Sequence, residues 1–219
     1  MSHFVGLCFG DWWESNIEPF AEDLEVEEYI VHTKEEAIRI AITDHNENYE
    51  QASKHTNDDS LSEYMFNYYS KVLAKGISLT NEQAWEIVKE WGYKLDENDN
   101  LVSSYNPDSK WDWYCIGGRW PNFLYLKETD AEGKRIQTYS ACFDEIDWDY
   151  MFEQGQIPFC IVTDDGEWIE RGEMGWWGIV TNEQDKDKWS ENVSSYIRKL
   201  QKELTPEDSL LVTVVDFHI

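Results

Sequence analysis

The sequence predicts an α+β protein: a single domain over residues 1–219 with a mostly antiparallel sheet, adjacent N- and C-terminal strands, and helices packed on one side. The chain has 219 residues, 41% of them hydrophobic, which suits one large domain with a packed core. Helical periodicity prevails in residues 33–92, strand-like alternation in residues 93–182, and a helix and a strand follow in residues 185–219. Helices and strands segregated in this way are typical of the α+β class.

Two capping boxes define helices in the first half of the chain. Thr33 with Glu36, and Thr80 with Gln83, have the spacing that satisfies the first free backbone N–H groups of a helix. The polar segment Asn46–Asp59 is expected to end the first helix and to form a mobile surface segment. The predicted elements are a strand at His3–Gly10, an extended stretch at Val26–His32, a helix after Thr33, a helix at Leu61–Leu73 ended by Gly76, and a helix after Thr80 ended by Gly92.

Strands dominate the second half of the chain. Asp165-Gly166 is typical of a hairpin, because both residues tolerate the positive φ of a tight turn. The run Leu210–His218 is apolar and β-branched, so we expect it in the sheet interior beside the His3–Gly10 strand. The predicted elements are a hairpin at Tyr93–Val102, strands at Trp111–Ile116, Phe123–Lys127 and Arg135–Cys142, a short helix at Phe143–Phe152, a strand pair at Pro158–Thr163 and Trp168–Arg171, a helix at Asp187–Leu204, and the terminal strand.

The charge balance is strongly acidic: 45 Asp and Glu against 18 Lys and Arg give a net charge of -27. Such a surface repels phosphate backbones and anionic membranes, so neither direct nucleic-acid binding nor membrane binding is expected. No apolar run approaches the ~20 residues of a membrane span, and no secretory signal is recognisable. The four cysteines form no Cys-x-x-Cys pair, which indicates free thiols and a cytoplasmic protein.

An aromatic segment that ends in a glycine pair is the first candidate site. Strand alternation is expected to place Trp111 and Trp113 on one face and Tyr114 on the other. The glycine pair lets a ligand approach the main chain, and the fixed donors of an arginine suit a phosphate or carboxylate. The alternative is a core strand whose arginine pairs with a nearby carboxylate. The candidate ligand-binding residues in this segment are Trp111, Trp113, Tyr114, Gly117, Gly118, Arg119 and Trp120.

The stretch Glu170–Gly178 repeats this combination of charges, glycines and paired tryptophans. Trp176 and Trp177 are predicted to line the same concave site as Arg119. Glu173 is a candidate general acid or base, provided that aromatic surroundings raise its pKa. The alternative is a glycine-rich loop that inserts its tryptophans into the core.

The chain ends supply a candidate metal site. Asp216 and His218 are two residues apart on the predicted last strand and therefore share a face, and His3 lies on the predicted neighbouring strand. Two imidazoles and a carboxylate could hold a divalent metal, and no other cofactor is predicted. The alternative is that these terminal residues are solvated.

The acidity is itself a candidate function. Carboxylates concentrate in four segments, and rows of them on rigid elements can occupy the basic groove of a DNA-binding protein. The alternative is a solvated surface that keeps the protein soluble. The four segments are Glu18–Glu28, Asp96–Asp99, Cys142–Asp149 and Asp164–Glu173.

Several segments taken together resemble a family of small phage and prophage proteins that has no established activity. They are the opening Met1–Phe4, the central Asn106–Trp120 with the motif NPxxKWDWYxIGGRW, the stretch Glu170–Gly178, and the ending Val214–Ile219. The resemblance implies a phage-accessory setting, in which proteins bind or sequester a host component. It assigns no reaction and no catalytic residue.

The sequence therefore predicts a phage-type accessory protein that acts by binding, in counter-defence or in host modulation, through an aromatic and arginine pocket. The expected partner is a host protein or a small anionic, nucleotide-like ligand, and the oligomeric state stays open. One alternative is an acidic mimic of nucleic acid that inhibits a host DNA-binding protein or nuclease. A second alternative is a hydrolase or transferase that uses Glu173 or a metal at His3, Asp216 and His218.

Overall fold

The computed structural model describes residues 2–55, 62–205 and 207–219, and it confirms the α+β class. The chain divides into two compact units, which are unit 1, Met1–Glu25 with Tyr105–Ile219, and unit 2, Val26–Ser104. None of the described helices is both long enough and apolar enough to cross a membrane. The elements are β1 (His3–Phe9), α1 (Trp13–Ile17), β2 (Tyr29–His32), α2 (Lys34–Lys54), α3 (Glu63–Ala74), α4 (Asn81–Lys89), β3 (Lys94–Leu95), β4 (Leu101–Ser103), β5 (Trp113–Ile116), β6 (Leu124–Thr129), β7 (Arg135–Thr138), β8 (Ser140–Cys142), α5 (Trp148–Glu153), β9 (Cys160–Val162), β10 (Trp168–Glu170), β11 (Glu173–Met174), β12 (Val180–Thr181), α6 (Lys186–Glu203) and β13 (Leu211–His218).

The main sheet of unit 1 has the strand order β10-β9-β1-β13-β5, and β8 also pairs with β13. Strands β1 and β13 are antiparallel neighbours along their length, in a register that pairs His3 with His218 and Phe9 with Val212. The predicted adjacency of the N- and C-terminal strands is thus confirmed. The pair β1–β9 is parallel, whereas the other pairs of this sheet are antiparallel.

Both faces of this sheet are covered. On the face that we call the α6 face, Leu7 and Val214 are fully buried in a cluster with residues of α5 and α6. On the opposite face, the α1 face, Phe4 and Phe217 pack with Trp13 of α1. The expectation of helices on one side therefore holds for α5 and α6, while the five-residue α1 lies against the other face.

Unit 2 contains the two predicted capping boxes. The Thr33 and Thr80 hydroxyls each accept the backbone N–H three residues ahead, and the side chains at those positions bond back to the cap. The core of this unit forms where α2 and α4 bury their small residues, including Ala37 and Ala84. The predicted hairpin at Tyr93–Val102 is present as the antiparallel pair β3–β4, and β2 adds to β4.

The predicted end of the first helix near Asn46 is wrong, because α2 continues to Lys54. Ala52 in this extension is fully buried, and the His45 imidazole lies 2.7 Å from the Gly76 carbonyl oxygen. Contacts with α3 and the following loop outweigh the weak helix propensity of the asparagines. Residues 56–59 of the predicted mobile segment lie outside the described residues.

The predicted strand Arg135–Cys142 is two strands. β7 pairs with β6, whereas β8 joins the main sheet beside β13. The break occurs because the Thr138 hydroxyl bonds to both the N–H and the carbonyl of Ser140, and such local bonds compete with a continuous ladder. The Asp165-Gly166 hairpin is confirmed by the antiparallel pair β9–β10 and by a φ of +87° at Gly166.

Candidate functional site

A row of three ring side chains crosses the end of the main sheet. The β1–β13 register pairs His3 with His218, and the β13–β5 register pairs His218 with Trp113. Asp216 lies two residues before His218 and therefore on the same face, which is the α6 face. Strand pairing alone brings together residues that are more than a hundred positions apart in the sequence.

Each of the two imidazoles is bonded to its own carboxylate. His3 Nδ1 lies 2.8 Å from Asp216 Oδ1, and His218 Nδ1 lies 2.5 Å from Asp112 Oδ1. The two imidazole centroids are 4.8 Å apart in an edge-to-face contact. We call these five residues, His3, Asp112, Trp113, Asp216 and His218, the histidine array.

The carboxylates fix the tautomer of both rings. Because an ionised carboxylate only accepts hydrogen bonds, each Nδ1 carries a proton, which leaves the Nε2 lone pair free in a neutral ring. Neither Nε2 has a hydrogen-bond partner among the described residues. Neither of the two atoms is fully buried. The ring edges of His3 and His218 that carry Nε2 are therefore open to solvent.

The turn after β5 holds the buried carboxylate in place. Asp216 is 2% exposed, and its Oδ2 accepts the Arg119 backbone N–H at 3.0 Å. A Cβ on Gly118 would lie 2.4 Å from the Asp216 side chain, and Gly118 has a φ of +39°. Only glycine lets the main chain approach the carboxylate this closely.

Trp113 offers an aromatic surface beside the histidines. Its side chain is 55% exposed although it lies in a sheet row with two nearly buried imidazoles. The indole centroid lies 6.4 Å from the ring of His3 and 6.3 Å from that of His218, edge-on to both. An exposed ring at this position can stack on a planar ligand.

The other aromatic residues of the Lys110–Trp120 segment have structural roles. Trp111 and Tyr114 pack together on the α1 face, and the Trp111 indole N–H donates to the Ile17 carbonyl. Trp120 packs against the cluster on the α6 face. The expectation that Trp111 shares a face with Trp113 is wrong, because β5 begins only at Trp113, and the Trp111 main chain bonds to Phe20 instead.

Arg119 has no carboxylate partner among the described residues, in spite of the acidity of the chain. Its side chain is exposed, and it forms no ion pair, side-chain hydrogen bond or cation–π contact there. The structural alternative, in which the arginine pairs with a nearby carboxylate, is therefore not found among the described residues. Gly117, the other glycine of the turn, is buried against Tyr139 and has a φ of +68°.

The loop that contains Trp177 is hydrogen-bonded to Ser2, the residue before β1. The Ser2 hydroxyl donates to the Gly175 carbonyl and accepts the Gly178 N–H. Trp177 is 80% exposed and has a φ of +65°. In the described part of the chain no hydrogen bond or cation–π contact joins it to Arg119. The side chain of Trp176, predicted for the same pocket, lies outside the described part.

Glu173 does not have the surroundings on which its predicted role depends. It lies on the hairpin β11–β12, is exposed, and accepts a hydrogen bond from the Thr181 hydroxyl at 3.2 Å. A solvated carboxylate is not enclosed by aromatic rings, so nothing in this geometry favours it as a general acid or base.

The three predicted metal ligands do come together, but as members of two hydrogen-bonded pairs. His3 faces Asp216, and His218 faces Asp112. Among the described residues no group of three or more His, Cys, Asp or Glu side chains is arranged to hold a metal ion. In both pairs Nδ1 is engaged by a carboxylate, which leaves Nε2 as the ring nitrogen available to a ligand.

Asp112 is the residue of the array that the sequence analysis does not name as a candidate. Strand alternation predicts it on the face opposite to Trp113, yet its carboxylate reaches His218 and its backbone N–H donates to the His218 carbonyl. The detectable indication was its position between two tryptophans in the most distinctive motif of the chain.

The acidic segment Cys142–Asp149 is partly committed to local structure. The Glu145 carboxylate accepts the Cys142 N–H, and Asp147 both caps α5 and pairs with Arg135. Asp144 and Asp149 are exposed. A row of free carboxylates on this segment is therefore shorter than its composition suggests.

Three of the four distinctive segments of the sequence meet at the histidine array, and the stretch Glu170–Gly178 contributes no residue to it. His3 comes from the opening, Asp112 and Trp113 come from the central motif, and Asp216 and His218 come from the ending. Comparisons of the chain with protein-family models, curated proteins and solved structures found no match.

Proposed function

We propose that this phage-type accessory protein binds a small phosphate-bearing, nucleotide-like ligand at the histidine array. The observation that carries the proposal is the exposed Trp113 ring beside two imidazoles whose Nε2 atoms have no described partner. The indole would stack on the base, and the Arg119 guanidinium and the Nε2–H of an imidazole in its protonated form would bind the phosphate. In the setting that the resemblance implies, such binding would sequester a host nucleotide.

The charge of the chain supports a small ligand over a long nucleic acid. A net charge of -27 repels a polyanion along its whole length, whereas a mononucleotide or dinucleotide meets only the local charges. Near the array the guanidinium of the exposed Arg119 supplies a positive charge, and the Asp216 and Asp112 carboxylates are each hydrogen-bonded to an imidazole. The array would thus present hydrogen-bond donors to the ligand, whereas the rest of the surface is dominated by carboxylates.

Equilibrium dialysis or calorimetry of the purified full chain tests the proposal, with nucleoside monophosphates and dinucleotides as probes and nucleosides as the phosphate-free comparison. Trp113→Ala should weaken binding about 5- to 150-fold, since stacking of one base contributes roughly 1–3 kcal/mol. Arg119→Ala should weaken it by roughly 1.5–3 kcal/mol, the usual scale of a charged hydrogen bond.

Trp12→Ala is the matched control, because Trp12 is 79% exposed in the same unit and has no contact with the array among the described residues. Its affinity should equal that of the unmodified protein. Absence of nucleotide binding, or equal losses in the Trp12 and Trp113 variants, would reject the array as the binding site.

A further inference from the structure

The histidine array has the parts of a general acid–base catalyst. Two imidazoles lie side by side, and the carboxylate on each Nδ1 orients the ring. In each ring the opposite nitrogen, Nε2, is free to accept a proton when neutral or to donate one when protonated. One neutral and one protonated imidazole therefore supply a base and an acid in one site.

We infer that the array cleaves the phosphodiester of a short ribonucleotide, and this inference rests on the proposed function. One imidazole takes the proton of the ribose 2′-hydroxyl, whose oxygen attacks the adjacent phosphorus. The 2′-oxygen–phosphorus bond forms, the bond from phosphorus to the 5′-oxygen breaks, and the other imidazole gives its proton to that departing oxygen. The products are a 2′,3′-cyclic phosphate and a free 5′-hydroxyl, so atoms and charge balance without any co-reactant.

Ribonucleotides are the substrate class that this site suits. The 2′-hydroxyl is already held beside the phosphorus, and intramolecular nucleophiles reach effective molarities of about 10⁵–10⁸ M. A base and an acid are then the groups that the reaction still needs, and these are what His3 and His218 provide. Trp113 would stack on one of the two bases and so place the scissile phosphate over the rings.

The two carboxylates give the site its rigidity. The Asp216 carboxylate is held in place by the Arg119 N–H and by close packing against Gly118. It therefore gives the His3 ring a hydrogen-bond acceptor at a fixed position. The centroid of the His218 ring lies 4.8 Å from that of the His3 ring. Asp112 orients the His218 ring, and the Asp112 backbone N–H also donates to the His218 carbonyl. Both imidazoles are thus positioned before a substrate arrives.

The test incubates the full chain with a ribodinucleotide and separately measures binding of the 2′-deoxy analogue, which lacks the attacking hydroxyl. The expected result is formation of the 2′,3′-cyclic phosphate, followed by chromatography or phosphorus NMR, and binding of the deoxy analogue without cleavage. His3→Asn and His218→Asn should each lower the rate about 10²- to 10⁴-fold, the usual contribution of a general acid or base.

Asparagine is chosen because its side-chain N–H₂ can still donate to the neighbouring carboxylate, which preserves the fold. His32→Asn, which changes a histidine of unit 2, is the matched control and should cleave at the original rate. The unmodified protein should show a bell-shaped pH–rate profile, a readout that does not depend on any variant.

Binding of the deoxy analogue without cleavage of the ribodinucleotide would overturn the catalytic inference and leave the proposed binding function intact. Failure of both ligands to bind would overturn both. Cleavage that persists in the protein with both histidines replaced would also overturn the inference, because the activity would then arise elsewhere.

Discussion

The two ends of the α6 face of the main sheet are built from the same two strands but carry opposite chemistry. At one end Leu7 and Val214 are fully buried beneath α5 and α6. At the other end the same strands place His3, Asp216 and His218 on that face. Asp216 is 2% exposed, so the polar end holds a carboxylate that is almost as deeply buried as the aliphatic side chains of the apolar end.

This difference shows where the sheet departs from the rule that a buried face is apolar. Burying a carboxylate is costly unless its oxygens are hydrogen-bonded, and Asp216 meets that condition through His3 and the Arg119 N–H. A fold that needed only stability could place aliphatic residues at these positions at no such cost. The polar end is therefore where we expect the function of this sheet.

The largest loss of stability should come from placing a carboxylate at the apolar end of the α6 face. Val214→Asp places a carboxylate without partners beneath α6 and should cost more than about 4 kcal/mol, a large share of the ~5–15 kcal/mol by which folded proteins are usually stable. Asp216→Val, two residues further on the same face, should cost about 1–3 kcal/mol because it leaves the Arg119 N–H and the His3 Nδ1 without their acceptor.

Urea denaturation followed by tryptophan fluorescence measures both values. The comparison between the two ends would fail if Val214→Asp were as mild as Asp216→Val, since the α6 end would then not be a closed apolar layer.

A smaller effect is expected from the glycine that lets the main chain approach Asp216. Gly118→Ala and Gly133→Ala both place a Cβ on a residue with positive φ, but only the Gly118 Cβ meets a neighbour, at 2.4 Å. The Gly118 variant should be less stable than the Gly133 variant by about 1–3 kcal/mol, the usual cost of overpacking. Thermal or urea unfolding of the two proteins gives this difference, and equal stabilities would show that Asp216 moves aside freely.

The sequence predicts four of the five residues of the histidine array, but not Asp112 and not which carboxylate each imidazole contacts. The apolar, β-branched run at the C-terminus is enough to place β13 in the sheet interior, and β1 is its expected neighbour. The pairing of His218 with Asp112 depends on where β5 begins. That start is set by main-chain bonds from Lys110 and Trp111 to Phe20, contacts that a residue pattern does not encode.

Residue composition alone does not show how the stretch Glu170–Gly178 differs from the central motif. The stretch Glu170–Gly178 has the same residue types as the central motif, yet the structure bonds its loop to Ser2 and leaves Glu173 solvated. Two segments of like composition therefore have different roles, because the neighbours of each are decided by the topology of the sheet.

The smallest expected effect is a loss of stability at alkaline pH that arises from a tyrosine at the apolar end of the α6 face. Tyr196 of α6 packs edge-on against Phe9, with ring centroids 5.5 Å apart. Burial, together with the nearby carboxylates of Asp164 and Asp165, raises the pKa of the Tyr196 phenol above its usual value. The folded state therefore holds this proton where the unfolded chain, with a pKa near 10, releases it.

Its contribution to stability is complete below pH ~10 and is lost as the pH rises toward the folded-state pKa, because the unfolded chain then binds fewer protons. Between pH 9.5 and 11 the unmodified protein should lose about 0.5–1 kcal/mol more stability than Tyr196→Phe, allowing for solvent screening at a half-buried group. The buried thiols of Cys8 and Cys160, whose pKa values are also raised by burial, are present in both proteins, so their effect cancels in the difference. Urea midpoints measured across this range give the two slopes. Parallel slopes would mean that water reaches the phenol, and that α6 covers its end of the sheet less completely than the packing of Tyr196 on Phe9 indicates.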